Sequence, residues 1–278
     1  MFRKLFKPLL KSARYYFLII FLCLFTAQYL YAVGTYSGDF SYAGGATFDR
    51  GYCDRANAIA VDKITGGGPY IYVVGSSSNA VFGSDYFIIK YGSDGVMLAS
   101  TTMNNGASNA QANSAAVDNS GNLYVTGSSG NTFICWIKKY NSNLIEQNSR
   151  ELTNSKGGYG IVVDTTSGNV YVAAQKWWWE GNQDYQLVKY NSDLTVVLSS
   201  VTFNSGYNDY ASGIAINPSG NLIAITGDFL NTGTTKRNIL TVWYNSNLEF
   251  QSSAAFSVSA ADCYGKGIAV DKSNPATM

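Results

Sequence analysis

The chain has no histidine among its 278 residues, and only 13% of them are Asp, Glu, Lys or Arg. The first absence removes the commonest general base and metal ligand, together with every Ser-His-Asp or Cys-His arrangement. The second, with 19 basic against 18 acidic side chains, leaves no field that would steer a nucleic acid, so no nucleic-acid partner is expected. No P-loop, no Gly-x-Gly-x-x-Gly and no Cys-x-x-Cys pair occurs, so no nucleotide, cofactor or metal is implied. The four cysteines do not suggest a disulfide framework. Cys23 lies in an N-terminal leader, Cys135 falls in an expected strand, and Cys53 and Cys263 occupy corresponding loops of separate repeats. Bridging those two would need Cα atoms within roughly 7 Å, so free thiols are expected.

Glycine and tyrosine are abundant, at 28 and 21 residues, against four prolines. Aromatics favour pleated surfaces and glycine supplies tight turns, so the composition reads as β. Residues 1–32 stand apart. Arg3, Lys4, Lys7, Lys11 and Arg14 precede an uncharged stretch over residues 15–32, the pattern of a cleaved export signal or, if uncleaved, of a membrane anchor. Either leaves the remainder secreted or held at the cell envelope, with residues 15–32 as the only expected contact with a membrane.

Residues 33–278 repeat with a period of about fifty, which marks an architecture of small units that bury their faces on one another. Each unit opens with a short apolar run: Ala58-Ile-Ala-Val-Asp62, Ser114-Ala-Ala-Val-Asp118, Gly160-Ile-Val-Val-Asp164, Gly213-Ile-Ala-Ile-Asn217 and Gly267-Ile-Ala-Val-Asp271. A run of this kind suits an innermost strand packed on both faces. A turn such as Asp118-Asn-Ser-Gly-Asn122 leads to a second run, Asn122-Leu-Tyr-Val-Thr-Gly127 in its clearest copy. A third run ends at Tyr91, Tyr140, Tyr190 and Tyr244, spaced 49, 50 and 54 residues apart. An Asn-Ser-Asn/Asp-Leu turn, or Gly92-Ser-Asp-Gly95 in the first unit, then leads to a fourth run. Four antiparallel strands per unit are predicted, over 56–104, 112–153, 158–204 and 211–257.

Four-stranded sheets at this period are the blades of a β-propeller. The AIAVD-like strand, GN turn, YVTG-like strand and D-x-F-x-x-K-Y-like strand resemble the bacterial SBBP-type propeller repeats. Two departures stand out: Asn217-Pro218 replaces the Asp turn, and Trp243 replaces the Lys before the tyrosine. The segment Ala46-Thr-Phe-Asp-Arg-Gly-Tyr-Cys-Asp54 aligns with Val201-Thr-Phe-Asn-Ser-Gly-Tyr-Asn-Asp209. This makes 40–48 a closing fourth strand and 265–278 the start of an incomplete fifth blade. The expected class is thus all-β: four complete blades and a partial fifth, behind an N-terminal signal or anchor helix.

Chemistry would sit on the face where second and third strands join and where one blade passes to the next. The candidates there are Tyr52, Asp54, Tyr207, Asp209, Tyr210, Phe229 and the run Trp177-Trp178-Trp179-Glu180. Three successive tryptophans cannot all point inward on a strand, and exposed aromatic faces beside Asp and Tyr suit sugars or protein partners. The repeated Asp residues at 62, 118, 164 and 271 read as turn caps, because a calcium loop with a distal Glu is missing. The expected function is a non-catalytic binding or scaffold module for a glycan or protein ligand, as the resemblance implies. The alternative is a carbohydrate-active enzyme, a glycosidase or lyase, using carboxylates such as Asp54, Asp209 or Glu180 across a face cleft.

Overall fold

The computed structural model describes residues 53–62, 69–79, 83–103, 109–130, 132–177, 183–231, 233–258 and 261–271, all within one compact unit spanning 42–278. The leader and the predicted closing strand 40–48 lie outside them. The described residues are all-β and antiparallel. Unit one comprises β1 (Asp54–Asp62), β2 (Tyr70–Ser78), β3 (Ser84–Tyr91) and β4 (Met97–Met103), paired in that order. Unit two comprises β5 (Ala110–Val117), β6 (Leu123–Ser129), β7 (Ile134–Tyr140) and the first part of β8 (Glu146–Val163). The second part of β8 opens unit three, continuing through β9 (Val170–Trp177), β10 (Gln183–Tyr190) and β11 (Val197–Phe203). Unit four is β12 (Asp209–Ile216), β13 (Leu222–Asn231), β14 (Lys236–Asn245) and β15 (Phe250–Phe256).

The units pack face to face in sequence, with β1 against β5, β5 against the second part of β8, and β8 against β12. Alternation along each strand supplies the two packing faces. Leu123 and Val125 point back to Tyr72, Val74 and Ile88 of unit one, while Tyr124 points forward to Ile161 and Val172 of unit three. A third core joins Tyr171, Tyr185 and Leu187 to Ile214, Ile223 and Leu240. Three joints between four units, of which β8 links the second and third into one seven-stranded sheet, therefore hold three separate cores.

The first strands are innermost, but they are not sealed to the same degree, the second part of β8 being largely buried. Asn57, Ile59 and Val61 of β1 are exposed and β5 is mostly half-buried, whereas the second and third strands of each unit carry the deepest burial. The correction has a simple cause: Ile59 and Val61 lie on the face of β1 turned away from unit two, where no described unit packs, whereas the equivalent Ile161, Val163 and Ile214 are buried against the preceding unit. A second correction concerns Gly267-Ile-Ala-Val-Asp271, which forms no strand. It nonetheless lies where an inner strand belongs. A Cβ on Gly213 would meet Gly267, as one on Gly160 meets Ile214, and Gly265 lies against Thr226 as Gly158 lies against Thr126. No described segment lies alongside it to complete a ladder.

The turns have the chemistry their sequences imply. The Asp118 carboxylate accepts the Ser120 and Asn122 amides at 2.8 and 2.9 Å, and Asp164 accepts Thr166 N–H at 2.9 Å. Asn217 does the same for Asn221 and Leu222. In the Asn-Ser-Asn/Asp-Leu turns the leucines adopt left-handed backbone, with φ of 61° at Leu144, 58° at Leu194 and 64° at Leu248, and Gly95 stands there in unit one at 79°. Left-handed backbone costs a leucine about 1–2 kcal/mol. Burial of its side chain contributes about 1.5–3 kcal/mol, and all three leucines are buried, so burial wins.

The same turns are gripped by the preceding unit. Lys90 Nζ donates to Ser142 O at 2.8 Å, Lys139 to Asp193 at 2.8 Å and Lys189 to Ser246 O at 2.9 Å. The hydroxyl of Tyr124 donates to Ser192 O at 2.6 Å. Cys53, Cys135 and Cys263 are free thiols; burial pushes the Cys135 thiol up to about 12, which keeps it protonated and unreactive.

Leu194→Ala, which keeps the left-handed backbone and empties the pocket, is expected to lower stability by about 2–5 kcal/mol in urea unfolding. Leu194→Gly relieves the backbone by about 1 kcal/mol and is still expected to unfold before the wild type. A glycine variant as stable as the parent would show that burial of the side chain does no more than offset the backbone cost.

Candidate functional site

Each inner strand carries one residue too many for its partner. The register slips at Asn57 in β1, Asn113 in β5, Tyr159 in β8 and Ser212 in β12. All four lie five residues before the turn Asp or Asn, and Lys266 is the corresponding residue before Asp271. A bulge re-aims its side chain out of the alternation of the strand. Here the five equivalent side chains converge on one cavity of about 440 Å³, together with Gln175, Tyr210, Ala211, Asp228, Arg237 and Tyr264.

The bulges also explain the glycine that ends the second run. A Cβ at Gly75, Gly127 or Gly227 would overlap the carbonyl oxygen of Arg55, Gln111 or Tyr210, each two residues before a bulge. Two bulge residues brace the next unit as well: Asn57 Nδ2 donates to Ala112 O at 2.9 Å and Asn113 Nδ2 to Gly158 O at 3.0 Å.

The charged groups gather at the unit-four side of the cavity. Arg237 forms an ion pair with buried Asp228, and its guanidinium lies 4.1 Å from the Tyr210 ring centroid. Lys266 Nζ lies 5.3 Å from the Tyr264 ring centroid. Burial pushes the Asp228 carboxyl above the usual carboxylate range, against the opposing pull of Arg237. The lining therefore offers amide groups, three tyrosine rings, two cations and one carboxylate already held in an ion pair.

The residues expected to form the site are divided by the structure. Tyr210 lines the cavity. Tyr207 stacks on Phe229 with centroids 6.1 Å apart, and Phe229 packs against the third core. Trp177 ends β9 with 41% of its surface exposed, and Lys156 Nζ lies 4.3 Å from its ring centroid. Asp54 begins β1 at the position that Asp209 holds in β12. Tyr52, Trp178, Trp179 and Glu180 lie outside the described residues.

Asp209 is fully buried, accepts the Ser205 hydroxyl at 2.6 Å and amide at 2.9 Å, and caps the loop into unit four. Burial raises its carboxyl to about 6, with the nearby charges of Asp184 and Asp228 adding to the rise and the Ser205 bonds opposing it. Such a value suits acid-base work, yet this carboxylate does not line the cavity and its oxygens are occupied by the loop. Its titration is structural.

Asn57, Asn113, Tyr159, Ser212, Gln175, Asp228, Arg237 and Lys266 were not among the residues expected from sequence. One signal was present. In a run of small and apolar residues, the position five before the turn Asp or Asn is Asn, Asn, Tyr, Ser and Lys.

No protein-family profile matches the chain, and no curated protein matches it. Solved structures do match. Kuenenia stuttgartiensis hydrazine synthase superposes with a TM-score of 0.55 at 11% identity, covering 76% of this chain and 56% of that one. A Pseudomonas aeruginosa periplasmic gluconolactonase gives 0.49 at 8% identity, covering 76% and 59%, and a Synechocystis apocarotenoid oxygenase variant gives 0.48 at 9%, covering 76% and 51%. The chain thus spans little more than half the length of these structures. All three bear enzyme names, but at such identities the likeness extends to the fold alone. The hydrazine synthase match joins the face-to-face sheets in defining a propeller-like, all-β protein; the other two superpositions are too loose to add to it.

An Asp209→Asn variant tests the buried carboxyl. Its folded value of about 6 lies above the ordinary 3.8, so the unfolded chain ionises first. The wild type is expected to lose stability relative to the variant as pH rises from about 4 to about 6, with a constant difference above that. Parallel pH-stability curves for the two proteins would show that Asp209 ionises normally.

Proposed function

We propose that this is an exported, non-catalytic β-propeller that binds a polar ligand at the hub of its blades, at the cell envelope. The basic and apolar leader supports export, and the repeat signature, similar to that of SBBP-type propellers, supports the module type. Four four-stranded units are followed by a segment seated where a fifth inner strand would lie, which supports packing of successive units about a common hub.

The observation that carries the reading is the hub itself: side chains displaced by bulges in successive inner strands line one cavity of about 440 Å³. That volume falls within the roughly 300–1,000 Å³ of small-molecule sites. Tyrosine rings beside amide groups suit a hydroxylated ligand such as a glycan. The rival is the carbohydrate-active enzyme. A glycosidase needs two carboxyl groups about 5–9.5 Å apart, whereas the described lining holds Asp228 alone, paired with Arg237. The geometry favours binding over bond cleavage.

Glycan-array binding followed by calorimetry is the test. The expected result is saturable binding of an oligosaccharide recovered unchanged, weakened at least tenfold by Tyr210→Ala and unaffected by Trp177→Ala. Release of new reducing ends or unsaturated sugars during incubation would overturn the non-catalytic reading. Loss of binding in the Trp177 variant alone would move the site from the hub to the rim.

A further inference from the structure

We propose that the hub cavity selects an acidic sugar, a hexuronate unit whose carboxylate is held between Lys266 and Arg237. The inference rests on the binding role proposed above and adds the charge class of the ligand. Of the ionised groups in the lining, Arg237 and Lys266 are cationic and Asp228 is anionic, so two positive charges less one negative leave one positive. Asp228 is committed to Arg237. Among the described residues no ion pair involves Lys266; its neighbour is the Tyr264 ring. Lys266 thus enters the same cavity as four polar or aromatic bulge residues from a bulge-equivalent position, without a directly bonded counter-ion among the described residues, its charge reaching Asp228 only at longer range.

The remaining lining says what the rest of the ligand must be. Asn57 and Asn113 hold their amide nitrogens on the carbonyls of Ala112 and Gly158, and Gln175 Nε2 reaches Asp209 O at 3.4 Å. Each amide is anchored through nitrogen, and its oxygen is left to accept from a ligand hydroxyl. The Tyr159, Tyr210 and Tyr264 rings provide flat apolar surface for the C–H face of a pyranose. An inorganic anion would use the cations and leave the acceptors and rings idle; a neutral sugar would use the rings and acceptors and leave Lys266 unmatched. A hexuronate uses all three. Arg237 has five N–H donors, more than Asp228 can accept, so the same guanidinium can serve the internal carboxylate and the ligand's.

The measurement is calorimetry on the purified protein at pH 7 and low salt. Disaccharides of glucuronate, galacturonate, mannuronate and guluronate are compared with their neutral counterparts, and inorganic sulfate is the competitor. At least one uronate is expected to bind tenfold or more tighter than its neutral counterpart, with affinity falling as salt rises and sulfate competing only weakly. Lys266→Gln should reduce that preference to less than threefold, and Lys266→Glu should reverse it. The preference is read in each variant as the ratio of uronate to neutral-sugar affinity. Because Lys266 is exposed, both variants should keep the wild-type melting temperature.

Equal affinity for charged and neutral sugars, with no effect at Lys266, would overturn the acidic-sugar assignment and leave the hub as a glycan site. Displacement by sulfate as effective as that by uronate would overturn it in favour of a general anion site. Failure of all four uronates would overturn it too, and binding by neutral sugars, lost in Tyr210→Ala, would then show that the hub reading itself survives.

Discussion

One extra residue in each inner strand is the constraint on which the rest of the molecule turns. At Asn57, Asn113, Tyr159 and Ser212 the strand must accommodate a bulge, and the backbone two residues earlier swings toward the second strand. The carbonyls of Arg55, Gln111 and Tyr210 then occupy the space a Cβ would need on the facing residue. That residue is Gly75, Gly127 and Gly227. In unit three it is Ala174, and β8 answers with a second irregularity at Gly157, whose φ is 62°. The exception thus obeys the same steric rule: where the second strand keeps a side chain, the first must supply the extra freedom. A single local distortion accounts for a sequence signature, the close approach of inner strands and the direction in which the hub side chains point.

The parts of the fold that depend on local chemistry were legible in the sequence. Asp and Asn caps, glycines at turn positions and tyrosines at a spacing of about fifty mark strand ends, because these requirements act within a few residues. The degree of burial was not legible. An apolar run such as Ala58-Ile-Ala-Val-Asp62 reads as sealed on both faces, yet Ile59 and Val61 are exposed because no described unit precedes unit one, while the equivalent Ile161 and Val163 are buried against unit two. Composition records that a strand tolerates crowding; it does not record whether a neighbour is there. The site was half legible for a related reason. Tyr210 was a candidate because it lies where one unit passes to the next, whereas Arg237 and Asp228 meet only through the pairing of β13 with β14. Asp209, which looked chemical, supports a loop instead. A buried carboxylate accepting backbone and hydroxyl donors has the same one-letter signature as a catalytic one.

The repeating and non-repeating parts divide the labour of the molecule. Within the array, a lysine on the third strand and a tyrosine opposite it on the second, such as Lys139 with Tyr124 and Lys189 with Tyr171, hold the next unit's turn. Unit four breaks this pattern at both positions, with Trp243 and Ala224, so it cannot grip a following turn in the same way. A different contact appears there. Arg237 N–H donates to Asp262 Oδ1 at 2.8 Å and Cys263 N–H to Arg237 O at 2.8 Å, tying the segment that carries Lys266 to the start of β14. The departure from the repeat brings two cations to one side of the hub. At the position of Asp228 the other units carry Ser76, Ser128 and Gln175, and at the position of Arg237 they carry Ser84, Phe133 and Gln183. Repetition can build a symmetric hub, but a symmetric ring of neutral side chains has no preferred orientation for a ligand. In the binding role proposed above, charge gathered where the repeat fails supplies that orientation, while the three internal joints keep their own cores.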